Sequence, residues 1–224
     1  MVGWTGNFGA DTDATHALQW LAEGAAVFRY AGQPALPSPL VFLDVETTRD
    51  HIVEVAAVRL QRGAWPVAWH SWIDPGPAAR YRTGRYWNTD IHGLTAPIVQ
   101  GAPTFAQVAP SLWQLLGDAT LVAHNAAFEH AQLSRAFASV GTVWSRPALC
   151  TLKLSRRLLP RRKQDGSGYT LEELAPALHI RNPAPHRAMG DVMCTVWLLL
   201  ALMERCWAAP GLAEALQDAH RLGT

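Results

Sequence analysis

Leu40–Glu46 is an apolar run broken at alternate positions by Asp44 and Glu46. Ile52–Leu60 alternates too, setting Val53, Val55, Ala57 and Arg59 opposite Ile52, Glu54, Ala56 and Val58. A period of two predicts strands. Only residues 47–51 separate these runs, so they form an antiparallel pair with a tight turn. Trp65–Ile73 is a third strand, and Pro66 places its start at an edge or the end of a loop. Phe105–Leu116 has helical spacing, with Pro110 predicting a late start or a kink. Thr120–Ala123 reads as a short buried strand and Ala148–Thr151 as a fifth. Ala127–Val140 reads as a helix that turns Phe128, Leu133, Phe137 and Val140 inward. Further helices follow at Leu171–Leu178, His186–Trp207 and Leu212–Leu222. Ahead of the first strand, a helix from Ala14 to Tyr30, capped by Thr12 or Asp13, leads into a proline-rich linker. Three meander strands followed by alternating helices and strands predict an α/β fold with a mixed sheet. Residues 1–38 form a helical segment and linker, and residues 39–224 the main domain.

Asp44 and Glu46 lie on one face of the first strand, one pleat apart. Two like charges in an apolar strand raise each other's pKa, and burial raises both. A divalent cation compensates such a pair. Glu129 and Asp191 are the acids that complete the site, and together the four point to metal-dependent phosphodiester hydrolysis. Two cations about 3.5–4 Å apart can supply a nucleophilic hydroxide and stabilise the leaving oxygen. Hard oxygen donors suit magnesium or manganese rather than zinc. Asn125 is placed to cap the following helix, and Glu129 on its first turn faces back toward the strand end. His186 precedes Asp191 by five residues, about 1.4 helical turns. The two converge if His186 lies in the loop or at the first turn, which Pro183 and Pro185 favour by delaying the helix. A neutral histidine there can act as general base.

With 224 residues and 49% apolar content, the chain can bury a full core. Its net charge of +1 implies no polyanion partner, so any nucleic-acid surface must be local. Two stretches supply one: Arg80–Trp87, where arginines interleave with aromatics, and Lys153–Lys163, with six basic residues in eleven. Each also reads as a solvated loop or a charged helix face. Three scattered cysteines predict reduced thiols and a cytoplasmic location. No signal peptide is expected, and Val192–Met203 falls short of the roughly 20 residues of a membrane span.

Phe42–Thr48, Ile91–Thr95, Leu121–Glu129 and His186–Asp191, in that order, resemble the DEDDh 3′–5′ exonucleases, the family of the proofreading epsilon subunit and exonuclease X. The likeness covers about Leu40 to Arg205, and the run Cys150–Pro160 is similar to exonuclease X-like members. The resemblance implies a ribonuclease H-like fold with a mixed five-stranded sheet. It implies two Mg2+ or Mn2+ ions on Asp44, Glu46, Glu129 and Asp191, His186 as general base, and release of nucleoside monophosphates from 3′ ends. Thr47, His92, Leu94, Asn125 and Phe128 would line the pocket for the terminal nucleotide, with Leu94 as a wedge between bases. The sequence departs from the family pattern twice: Glu129 stands where aspartate is usual, and Arg49 where glycine is usual.

Beside these roles, Glu54 reads as a sheet-face support and His124 as a satisfied structural histidine. DNA with a single-stranded or frayed 3′ end is the favoured substrate. Two alternatives stay open: an RNA-trimming exonuclease, and a nucleic-acid-binding scaffold whose catalysis has weakened at Glu129. Only 33 residues follow Asp191, which offers no tail for docking a polymerase. A stand-alone enzyme is the default, with the N-terminal segment as the surface through which a homodimer would form.

Overall fold

The computed structural model describes residues 36–61, 64–80, 84–160, 163, 167–182, 184–205 and 212–220. The helix expected at 14–30 lies outside them, as do parts of both basic stretches and Cys206. Strands β1 (Leu40–Thr47), β2 (Ile52–Leu60) and β3 (Val67–Trp72) form the antiparallel meander. Strands β4 (Thr120–Ala123) and β5 (Ala148–Cys150) extend it in parallel, giving the order β3-β2-β1-β4-β5. The mixed five-stranded sheet expected from the sequence is present, with β1 at its centre.

Three short helices, α1 (Pro77–Arg80), α2 (Thr89–His92) and α3 (Ala96–Val99), follow β3. At four residues each they are too short for a periodicity to reveal. Next comes α4 (Phe105–Leu116), whose reciprocal Thr104–Gln107 cap fixes its start. Pro110 lies inside this helix and does not delay it. Helix α5 (Ala126–Ala138) follows β4, and α6 (Thr151–Leu158) follows β5. Thr151, expected in the fifth strand, instead opens α6. The chain closes with α7 (Leu171–Ala177), α8 (Ala188–Arg205) and α9 (Leu212–His220). No helix among the described residues is long and apolar enough to cross a membrane.

The pleat of β1 divides the core. Leu40 and Phe42 pack with Ala56, Val58, Val122 and α8 on one side. Val41, Leu43 and Val45 pack with Val55, Ala57, α4 and α5 on the other. Leu133 and Phe137 lie in this second layer as expected. Phe128, expected in the core, is 39% exposed at the start of α5, one helical step away from the buried stripe.

Candidate active site

Asp44 and Glu46 share the pleat face of Phe42 and so point toward α8, where Asp191 stands in the first turn. Carboxylate oxygens of Asp44, Glu46 and Asp191 lie within 4.8 Å of one another. Parallel β4 pairs with β1 only as far as Phe42, so both acids sit just past its end. The cluster thus sits at the carboxyl ends of the parallel strands, the edge at which α/β sheets place their ligands. Glu129 approaches differently. It stands on the first turn of α5, the helix packed on the opposite face of the sheet. It is 3% exposed, its Oε2 has no hydrogen-bond partner, and it lies outside the three-residue cluster.

Electrostatics tie Glu129 to that cluster. Burial, then repulsion from Glu129, Glu46, Asp191 and Glu54, pushes Asp44 well above the usual carboxylate range. Burial raises Glu46 to about 8, helped by Asp191 and Glu54 and opposed by Arg187. Burial also raises Glu129 to about 8, with Glu46 adding and its own backbone N–H opposing. Asp191 is raised by burial, against the hydrogen bonds it accepts from Asn182 Nδ2 and from the His186 N–H at 3.1 Å. Four acids held up by burial and mutual repulsion, one with an orphaned oxygen, form a hard-oxygen donor set that fits a divalent cation.

Glu54 is the supporting acid the sequence pointed to, and its partner Arg187 was missed. Antiparallel register sets Glu54 beside Glu46 on one side and Trp72 on the other. Its carboxylate accepts from Arg187 Nε at 3.1 Å and Nη2 at 2.8 Å, from the Ala188 N–H at 3.2 Å, and bonds His70 Nε2 at 2.7 Å. Burial alone would raise it, but the bonds from His70 and Arg187 outweigh burial and hold it at about 2. The Arg187 guanidinium also lies 5.9 Å from the centre of the Trp72 ring. This pin fixes the start of α8, and therefore Asp191 and His186, to the sheet.

The histidines separate into different roles. His186 precedes α8 with φ 57, and its Nε2 meets Glu172 Oε1 at 2.5 Å. His92 is buried: its Nδ1 accepts from the Leu94 N–H at 3.0 Å, leaving Nε2 to donate to the Thr47 carbonyl at 3.2 Å. Asn88 donates to the same carbonyl at 2.9 Å, so both side chains brace the end of β1. Burial holds the His92 imidazole below its ordinary pKa. His124 bonds Thr151 Oγ1 at 3.0 Å and the Tyr169 carbonyl at 2.8 Å. Burial lowers it to about 4, which makes it a neutral structural link.

Two expected positions differ. Asn125 occupies the cap position of α5 in a left-handed conformation (φ 81), but its side chain makes no capping hydrogen bond. Leu94, expected as a wedge, is 2% exposed and packs with Val53, Tyr86, Trp87 and Val99. The apolar side chain is better satisfied in that cluster than at the surface. Thr47 ends β1, and Asn125 and Phe128 lie at the start of α5, whose first turn also carries Glu129.

A family model described as Exonuclease matches residues 41–199. The chain belongs to the exonuclease family. The DNA polymerase III epsilon subunit of Aquifex aeolicus is 25% identical to the chain over 185 residues, covering 80% of the chain and 87% of the relative. A PolC-type DNA polymerase III of Clostridium perfringens is 30% identical over 164 residues, 71% of the chain but 11% of the relative. A bifunctional exonuclease/endonuclease protein of Mycobacterium tuberculosis is 31% identical over 196 residues, and the chain spans 29% of its length. Among solved structures, exonuclease X in complex with 5′ overhanging duplex DNA matches at 26% identity and TM-score 0.59, covering 81% of this chain and 99% of that one. Escherichia coli exonuclease I with a dT13 oligonucleotide matches at 19% identity and TM-score 0.66, over 77% of this chain and 42% of that one. The chain therefore has a ribonuclease H-like fold, and its acidic cluster lies within the matched region.

Proposed function

We propose that this exonuclease removes nucleotides from 3′ ends of DNA, with single-stranded or frayed ends as its substrates. The observation that carries the reading is the convergence of Asp44, Glu46 and Asp191 within 4.8 Å, with Asp44 repelled by Glu129, whose Oε2 has no hydrogen-bond partner. The epsilon subunit likeness supports the 3′–5′ direction, and the exonuclease X complex supports an accessible DNA end. Asp44, Glu46, Glu129 and Asp191 would hold two magnesium or manganese ions. Such ions supply a hydroxide nucleophile and neutralise charge on the leaving oxygen. His186 takes the proton of the attacking water, held beside Asp191 by its own backbone N–H. Thr47, Asn125 and Phe128 receive the terminal nucleotide, and Phe128 offers an exposed ring for stacking. His92 acts through Thr47, whose carbonyl it holds.

A 5′-labelled oligonucleotide incubated with manganese should shorten in single-nucleotide steps and release mononucleotides. Asp191→Asn should abolish this while leaving thermal unfolding near that of the parent. Full activity in Asp191→Asn would refute the site. A second reading, a weakened nucleic-acid-binding scaffold, draws on Glu129 lying outside the three-acid cluster. Activity in the natural chain removes it; activity that emerges only in Glu129→Asp establishes it.

A further inference from the structure

We propose that Glu172 is a positioning residue for His186, holding the imidazole so that Nδ1 meets the attacking water; this rests on His186 being the proton acceptor. Glu172 Oε1 lies 2.5 Å from His186 Nε2. A carboxylate only accepts, so Nε2 carries the proton and the lone pair of the neutral ring resides on Nδ1. The contact therefore selects the tautomer and anchors the ring on its Nε2 side.

The backbone is gripped separately. The His186 N–H donates to Asp191 Oδ2 at 3.1 Å, and φ is 57. A left-handed residue with a side chain persists only where its surroundings hold it. That grip does not act on the two side-chain torsions of His186, which the contact of Nε2 with Glu172 restrains. Glu172 is itself well placed to do so. It stands in the first turn of α7, whose start is fixed by the reciprocal Thr170–Glu173 cap. Leu174 of the same helix is fully buried in the layer that holds α8. Backbone and ring of His186 are thus referred to two elements packed against each other.

The pair's side chains are 38% and 59% exposed. An exposed pair adds little to stability. What it adds is orientation, as a carboxylate behind a catalytic histidine does elsewhere.

The test measures kcat and KM for mononucleotide release by Glu172→Ala, Glu172→Gln, His186→Ala and the double alanine variant. Glu172→Ala should lower kcat roughly ten- to a hundredfold with KM within about twofold, and with thermal unfolding unchanged. Glu172→Gln, whose amide oxygen still accepts from Nε2–H, should restore most of the rate. In the His186→Ala background, Glu172→Ala should cost nothing further. Nitrogen-15 NMR of the metal-free protein gives a readout independent of turnover. His186 should be protonated at Nε2 in the parent and in Glu172→Gln, and lose that preference in Glu172→Ala. An inactive His186→Ala with a fully active Glu172→Ala overturns the role of Glu172 alone. Full activity in His186→Ala overturns the base assignment and this role with it. An unchanged His186 tautomer across all three proteins also overturns it.

Discussion

Glu54 is 1% exposed, yet its carboxylate holds Arg187 twice, the Ala188 N–H and His70. An acid this buried is tolerated only because every oxygen lone pair it presents is met by a donor. Its folded pKa of about 2 against an ordinary 4.5 makes it a source of stability with a defined pH window. A depressed carboxylate contributes fully above its unfolded pKa, and the contribution disappears as pH falls toward the folded value. The shift corresponds to about 3 kcal/mol, present above about pH 4.5 and lost toward about pH 2. Glu54→Gln should therefore lower stability in urea at neutral pH by about 2–3 kcal/mol and flatten the acid limb of the stability curve. It should also slow turnover, since Arg187 neighbours His186. An acid limb identical to that of the parent would show that Glu54 is not the titrating support. This residue was half legible. A lone acid in an apolar strand announces a compensating partner, but nothing in the sequence names an arginine 133 positions away.

Helix α8 brings Asp191 to the strand only because its first turn lies against the preceding loop. A Cβ on Gly190 would stand 2.1 Å from the Ala184 carbonyl oxygen. The obstacle is backbone, so Gly190→Ala must displace either the loop carrying His186 or the helix carrying Asp191. We expect a loss of about 1–3 kcal/mol in stability and a larger fractional loss of turnover. Turnover and urea midpoint both equal to the parent's would show that the loop yields freely. Elements of this kind divide by how much of their cause is local. β1, β2, α4 and β4 were readable because a buried face imposes a period on the residues themselves. α6 surfaced in the sequence only as the charged-helix-face reading of the second basic stretch, because five of its eight positions are polar or basic and its inward residues are few. Leu94 was misplaced for a similar reason. Its burial depends on Tyr86, Trp87 and Val99 closing over it, and spacing along the chain does not reveal that closure. The short helices α1 to α3 have no period of their own, and packing on Val53 defines their cluster.

At the scale of the molecule, the acidic cluster lies where the two core layers meet. β1 is central in the sheet, α8 closes one face and α5 the other, and each contributes an acid. Repulsion among these acids therefore strains the assembly of the whole fold rather than a loop. Glu46 and Glu129 have folded pKa values of about 8 against an ordinary 4.5. A raised carboxylate binds its proton more tightly in the folded state, so the metal-free protein gains stability as pH falls from about 8 toward 4.5. Above that range the ionised cluster destabilises the fold. A divalent cation supplies the missing positive charge, and binding to the folded state alone adds stability by mass action. In chelator, the unfolding temperature should be lower at about pH 8.5 than at about pH 6. Magnesium or manganese should raise it at both, and by more at the higher pH, where protons no longer compete for the oxygens. Glu129→Gln should remove part of the pH dependence in chelator, because one of the raised carboxyls is gone. Differential scanning calorimetry across these conditions decides the matter. A cation-induced rise of the same size at both pH values would mean that the four acids are not the group the ion binds.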